Sequence, residues 1–350
     1  MKGVLLINLG TPEAPTTQAV RTYLREFLSD PCVIDIHPMA RWLLLNAIIL
    51  PFRPKKSAAA YQKIWTPEGS PLRIHSEALT EAVQIRLGEE YNVRLAMRYG
   101  QPTIADELNN LMLAGATQIV VVPLYPQYAT SSTGTALNSV YEAAIGRAVV
   151  PVLNVVPDYY DHPQFIDTVS SMIQTDKAEF QADHVLFSYH GLPERHIRQC
   201  DFSGTHCLVS DDCCDTIQVA NRSCYRAQCF ATTRAIVEKL QLSSTEWSIG
   251  FQSRLGRTPW IKPYTDEIIP KLVESGVRRL IVSCPSFVSD CLETLEEIGM
   301  RAKEEFIAAG GEDLHLVPAV NSHEKWVDAI ASMVSTGLDD QSGTPSTSTP

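Results

Sequence analysis

The chain of 350 residues carries 29 Lys and Arg against 40 Asp and Glu, a formal net charge of -11, with 45% hydrophobic and 20% charged residues. That length exceeds one ordinary core and suits two domains, and the composition is that of a globular protein rather than a disordered or fibrous one. The acidic balance excludes a nucleic-acid surface, which needs clustered Lys and Arg, and makes cations the natural partners.

Residues 3–9 are apolar, but the run is short, Thr11-Pro-Glu13 follows, and no small-residue cleavage site appears, so they predict a buried strand rather than a signal peptide. A cytoplasmic protein is the expectation. Residues 17–28 have helical spacing, with Val20, Tyr23, Leu24, Phe27 and Leu28 on one face. Residues 39–52 are apolar almost all round and flanked by Arg41, Arg53, Lys55 and Lys56. The run is shorter than the ~20 helical residues a bilayer requires. It suits an interfacial lip with Trp42 at headgroup level, or a buried core helix.

A helix at 76–91, a strand at 92–97, a helix at 104–114 and a strand at 118–123 alternate as in a doubly wound parallel sheet. The loop 124–134 mixes hydroxyls with Tyr125 and Tyr128, groups able to stack on a flat ligand and donate hydrogen bonds to its carboxylates. The pattern restarts with strands at 149–156, 185–188, 247–251 and 279–283 and helices at 165–173, 217–240, 291–309 and 326–334. The expected fold class is α/β, with two doubly wound, Rossmann-like parallel-sheet domains and a cleft between them. Residues 1–148 form the first, with the lip at 39–56. Residues 149–320 form the second, with a cysteine-rich insertion at 200–229, residues 321–336 a helix packing back, and 337–350 a disordered tail.

The chemistry collects at strand ends, where open α/β sheets bind ligands. His190 stands where the strand at 185–188 runs out into Gly191 and Pro193. An imidazole there can bind a metal or move a proton near neutral pH, or simply bond a loop carbonyl. Asp290, Glu293 and Glu297 follow the strand ending at Pro285, spaced as one acidic stripe of a helix that opens at the same sheet edge. Read alone the stripe is a solvated face. Set opposite His190, it offers a divalent-ion site or an acid and a base on two sides of a substrate. Six of the nine cysteines fall between Cys200 and Cys229, which in a cytoplasmic chain points to a metal or cluster more than to disulfides.

Four segments in order, Leu124-Tyr-Pro-Gln-Tyr128, Phe187-Ser-Tyr-His-Gly-Leu-Pro193, Phe251-Gln-Ser-Arg-Leu-Gly-Arg-Thr-Pro-Trp260 and Phe287-Val-Ser-Asp-Cys-Leu-Glu-Thr-Leu295, together resemble ferrochelatase over residues 2–335. The resemblance implies a chelatase fold and insertion of Fe2+, as substrate, into protoporphyrin IX. It implies that His190 and Glu293 act on the iron, that Asp290 and Glu297 are a route for metal or protons, and that Arg53, Tyr125 and Trp260 line the porphyrin site, Arg53 pairing with a propionate. It also implies a 2Fe-2S cluster held by four of Cys207, Cys213, Cys214, Cys224 and Cys229, with zinc in a closed four-thiolate site as the alternative. No nucleotide cofactor is expected, since neither a P-loop nor a GxGxxG is present. The expected protein is a monomer or weak homodimer peripheral to the inner membrane surface. Coproporphyrin III is the rival substrate, and a haem-binding iron-sulfur sensor without catalysis the rival of another class.

Overall fold

The computed structural model describes residues 1–256 and 258–339. Eight parallel strands form two four-stranded sheets. The first, β1 (Lys2–Asn8), β2 (Tyr91–Met97), β3 (Gln118–Pro123) and β4 (Val152–Val155), runs in the order β2-β1-β3-β4. The second, β5 (His184–His190), β6 (Trp247–Gln252), β7 (Arg279–Ser283) and β8 (Asp313–Leu316), repeats it as β6-β5-β7-β8. The central strands are apolar without alternation because helices cover both faces: Val4 to Ile7, Ile119 to Val122 and Val185 to Phe187 are fully buried.

In each sheet the chain leaves the first strand for one neighbour and returns on its other side, a reversal that opens a crevice at the strands' carboxyl ends. The first crevice lies beyond β1 and β3, next to Gly10 and Tyr125. The second lies beyond β5 and β7, next to His190 and the 284–293 segment.

Several expectations need correction. The strand assigned to the second domain from 149 pairs with β3 and closes the first sheet. It is a half-exposed edge, so its apolar residues announce a strand without naming its partner. The crossover from β3 to β4 is helical, a π-helix π2 (Thr130–Gly134) running into the helix Thr135–Ala144, where the sequence reading left a loop. The apolar segment at 39–52 is not one helix but Pro38–Leu43, π1 (Leu44–Ile49) and the start of Leu50–Ile64. Pro51 cannot donate to the carbonyl of Ala47 within π1, and the Leu50 amide reaches back five residues to Leu45 instead of four. The helix expected at 291–309 opens as a ten-residue π-helix, π3 (Glu293–Ala302), before an α-turn at Lys303–Ala308. Residues 337–339 end the last helix, Glu324–Asp339, while the rest of the expected tail lies outside the described residues.

That last helix packs Trp326, fully buried, against the touching rings of Tyr159 and Phe165 at 5.5 and 5.6 Å. One continuous core joins it to Val4 and Leu6 of β1 and to Val185 and Phe187 of β5. Trp326→Ala is expected to cost about 3–5 kcal/mol, the usual range for a buried aromatic, as one cooperative urea transition displaced to lower denaturant.

Candidate active site

His190 is the last residue of β5 and Gly191 is required behind it. A Cβ on Gly191 would lie 2.7 Å from the Gln252 carbonyl oxygen and 3.2 Å from the Trp260 ring, so only glycine lets the strand end pass between them. The His190 amide donates to Ser286 Oγ at 3.3 Å, and its Nδ1 lies 2.6 Å from the Gly191 carbonyl oxygen. A carbonyl only accepts, so Nδ1 carries the hydrogen and Nε2 of the neutral ring keeps its lone pair. The loop-carbonyl bond, which on sequence alone stood against a functional role, fixes the tautomer such a role requires.

Gln252, buried at the end of β6, pairs in register with His190 and ties it to the acidic helix. Its Oε1 accepts from Ser188 Oγ at 2.8 Å, and its Nε2 donates to the Glu293 carbonyl at 2.9 Å. Glu293 opens π3, where the wider turn aligns residues four or five apart and so sets Glu293 and Glu297 along one line. Glu297 accepts from the amide and hydroxyl of Ser253 at 2.9 and 2.6 Å and has Arg301 at 3.8 Å. Beyond it lies a cavity of about 170 Å³ whose walls include Gln252, Ser253, Arg254, Asp266, Glu297 and Arg301. Asp290 is not part of the helix. Its buried carboxylate accepts from Thr294 Oγ1 at 3.0 Å, Asn321 Nδ2 at 2.8 Å and the Ala319 amide at 3.3 Å. The expected spacing assumed an α-helix from 291, and the π-helix removes Asp290 from the stripe. Both carboxylates nonetheless approach Cys284, whose thiol is pushed up first by burial and then by their charges.

The facing wall comes from the first lobe. Tyr125 follows β3, and its buried hydroxyl has no hydrogen-bond partner. Burial raises its pKa and the charge of Arg98 works against that rise. Tyr23 and Tyr61, fully enclosed, are raised by burial and also by the negative charge of Glu293. Arg53, exposed on the helix Leu50–Ile64, is lowered by crowding in the cleft while Glu293 opposes the drop. Glu293 therefore sits within electrostatic reach of Tyr23, Tyr61 and Arg53. Trp260 closes the other side, bridged to Pro193 through its backbone and donating Nε1 to the Leu255 carbonyl at 2.9 Å.

Sequence reasoning missed Tyr23 and Tyr61, whose helical spacing reads as core, and Arg98, although polar residues at the end of β2 gave the same signal used for His190. Arg98 Nη2 donates to Asp30 at 2.6 Å, and Asp30 also accepts from Tyr99 OH at 2.8 Å, the Cys32 amide at 2.7 Å and Thr135 Oγ1. Burial alone would raise the Asp30 pKa, but these hydrogen bonds and the guanidinium outweigh it and hold the carboxyl low.

Between β5 and β6, Cys207, Cys213, Cys214, Cys224 and Cys229 are all buried. The sulfurs of Cys213 and Cys214 are 3.8 Å apart, and Cys224 lies beside both Cys207 and Cys214. Arg226 Nη1 lies 3.0 Å from Cys214 Sγ, and the Leu208 amide donates to Cys213 Sγ at 3.4 Å. Cys229 turns instead to Tyr225. Among the described residues no three His, Cys, Asp or Glu converge to hold a single metal ion.

The 39–52 segment is not a core helix. Met39, Trp42, Leu43, Ile48 and Phe52 are 58–76% exposed and only Leu45 and Leu50 are buried. Among the described residues no helix is long and apolar enough to cross a membrane.

A family model described as ferrochelatase matches residues 1–338. A ferrochelatase of Coxiella burnetii (strain CbuG_Q212) is 48% identical over 336 residues, covering 96% of this chain and 94% of its own. One of Legionella pneumophila (strain Lens) is 46% identical over 334 residues, covering 95% and 98%. In fold, the chain is similar to SirB from Bacillus subtilis with Fe3+, at a TM-score of 0.57, 13% identity and 98% coverage of both chains. It is likewise similar to the sirohydrochlorin chelatase SirB from Bacillus subtilis subspecies spizizenii in complex with cobalt, at 0.53, 12% and 98% of both.

Asp30→Asn is expected to cost about 2 kcal/mol or more at pH 7, because hydrogen bonds to a charged group are lost. The folded pKa is lowered, so this stabilisation is present above the unfolded value near 4 and is lost as pH falls through the folded one. Urea unfolding of variant and wild type should therefore converge as the pH drops below about 4.

Proposed function

The chain belongs to the ferrochelatase family, enzymes of the lyase class that insert a metal into a porphyrin, and from that premise we propose that it inserts Fe2+ into protoporphyrin IX. The products are protohaem and two protons, and the reaction closes haem biosynthesis. The observation that carries this reading is the His190 ring, held by Gly191 so that Nε2 is free and linked through Gln252 to the helix that begins at Glu293.

In this mechanism the macrocycle enters the cleft with Trp260 on one side and Tyr125 on the other, and Arg53 pairs with a propionate. Binding of its broad apolar surface sustains a buckled ring, which tips the pyrrole nitrogens out of plane and exposes their lone pairs. His190 and Glu293 together accept the two pyrrole protons and hand over the iron. Glu297 and the cavity behind it connect Glu293 with the outside. Asp290 takes a positioning role: its bonds to Thr294 and Asn321 anchor the start of π3.

The exposed lip supports peripheral contact with the inner membrane surface by a cytoplasmic protein, and its apolar character favours protoporphyrin over the four-propionate coproporphyrin III. The thiols support a 2Fe-2S cluster on Cys207, Cys213, Cys214 and Cys224. Cys213 and Cys214 adjoin and Cys224 lies beside Cys214 and Cys207, a row of four that suits two irons better than the single point at which a closed zinc site needs all four. The donations to sulfur from Arg226 and the Leu208 amide also suit thiolates. Such a cluster supplies structure or sensing, since Fe2+ insertion involves no net electron transfer.

Anaerobic Fe2+ insertion, followed by loss of porphyrin fluorescence, should favour protoporphyrin IX over coproporphyrin III. It should fall at least about a hundredfold in His190→Ala and in Glu293→Gln. No turnover with either porphyrin would sink the reading in favour of a sensor. Anaerobically purified protein should contain about two iron and two acid-labile sulfide per chain, lost in Cys213→Ser and kept in Cys229→Ser. One zinc per chain would overturn the cluster. Trp42→Glu with Ile48→Glu should weaken flotation with anionic vesicles at least about tenfold, and equal flotation would exclude the lip as the contact.

A further inference from the structure

The helix Tyr225–Leu240 starts directly after Cys224, and its first turn reaches three separate walls of the cleft. Tyr225, buried, lies beside Ser286, the same side chain whose Oγ accepts the His190 amide. Arg226 spans from Cys214 Sγ at 3.0 Å to the Lys262 carbonyl, which its Nε reaches at 3.1 Å just beyond Trp260, with its guanidinium 4.6 Å over the Phe230 ring. Gln228, with no exposed surface, accepts from the Tyr128 amide at 2.6 Å. Its Nε2 donates to Asp158 and to the carbonyl of Arg222, in the loop between Cys214 and Cys224. Arg226 and Gln228 each join the cysteine segment to a loop that carries Trp260 or Tyr125, and Tyr225 adjoins the side chain that bonds the His190 amide.

We propose that this turn is a brace through which the thiol set positions the porphyrin cleft, with Arg226 and Gln228 as its positioning residues. The inference rests on the reading of the cleft as a porphyrin site and of the thiols as ligands of a metal group, but its geometry is independent of which group they hold. Buried polar groups carry the brace, so its parts hold their positions only while all are paired. A cysteine segment that loses its ordering group releases Arg226 from Cys214 and Gln228 from Arg222. The loops at 125–128 and 260–262 then lose their supports while the strands remain.

The test is amide hydrogen exchange on the full chain without porphyrin, comparing wild type, Cys214→Ser, Gln228→Leu and the double variant. Exchange should rise at Gln127, Tyr128 and 260–262 in Cys214→Ser and leave β1 and β5 unchanged. A rise across all strands, or none at the two loops, overturns the proposal. Iron-free protoporphyrin IX titrations should show each single variant binding about tenfold more weakly, and the double variant no weaker than either. Additive losses near a hundredfold would mean that the two residues act separately and would overturn the brace. If wild type fails to bind porphyrin, the functional reading falls, and the exchange pattern alone decides the brace. Should Gln228→Leu not fold, Arg226→Gln takes its place in the cycle.

Discussion

The site depends on one buried carboxamide. Gln252 has to place two polar ends in a position only 4% exposed, and leaving either unpaired would cost about 1–3 kcal/mol. Its oxygen is satisfied by Ser188 on the neighbouring strand and its nitrogen by the Glu293 carbonyl. An α-helix would offer that carbonyl to its own amide four residues on. In the π3 ladder it accepts from the amide five residues on, and its second lone pair takes the side-chain donor, so the strand end is tied to the start of the helix. The distance between His190 and Glu293 is thereby a property of packed secondary structure rather than of a loop.

Two sheets of the same order, each with a crevice at its reversal point, supply the cleft with unlike walls. The first contributes phenols and a guanidinium, whose burial keeps the phenols neutral. The second contributes the imidazole and the carboxylates. A flat, largely apolar ligand with carboxylate arms needs the former, and a metal with protons to exchange needs the latter. The lobes are held in register by Asn8, which reaches both Ser76 and Ser289, by Lys63 with Glu296 at 3.0 Å, and by Asp35 with Arg195 and His196.

The sequence made the central strands readable because they are buried on both faces and so apolar without interruption. With them came His190 and Glu293, fixed by where those strands stop. The edge strands β4 and β8 were misassigned or missed, since half-exposed residues carry no mark of their partner. The π-helices were invisible. The bond that ties the start of π3 to the sheet comes from a glutamine 41 residues before Glu293, an interaction that no local periodicity records. The lip could be told from a core helix only by exposure, because both are apolar on all sides. Among the cysteines, spacing leaves five candidates, and the fold sets Cys229 beside Tyr225 while Cys224 stands beside Cys207 and Cys214.

Charge balance gives the acidic line its purpose under the proposed reaction. A dication enters the ring and two protons leave, so the net charge of ring plus site is the same before and after. Glu293 has Arg53 within reach of its charge, while Glu297, four residues outward, is moderated by Arg301 and two bonds from Ser253. The arrangement passes charge along a line without neutralising it. It ends at a cavity open to hydration, where an outgoing proton meets water and an incoming cation can shed it.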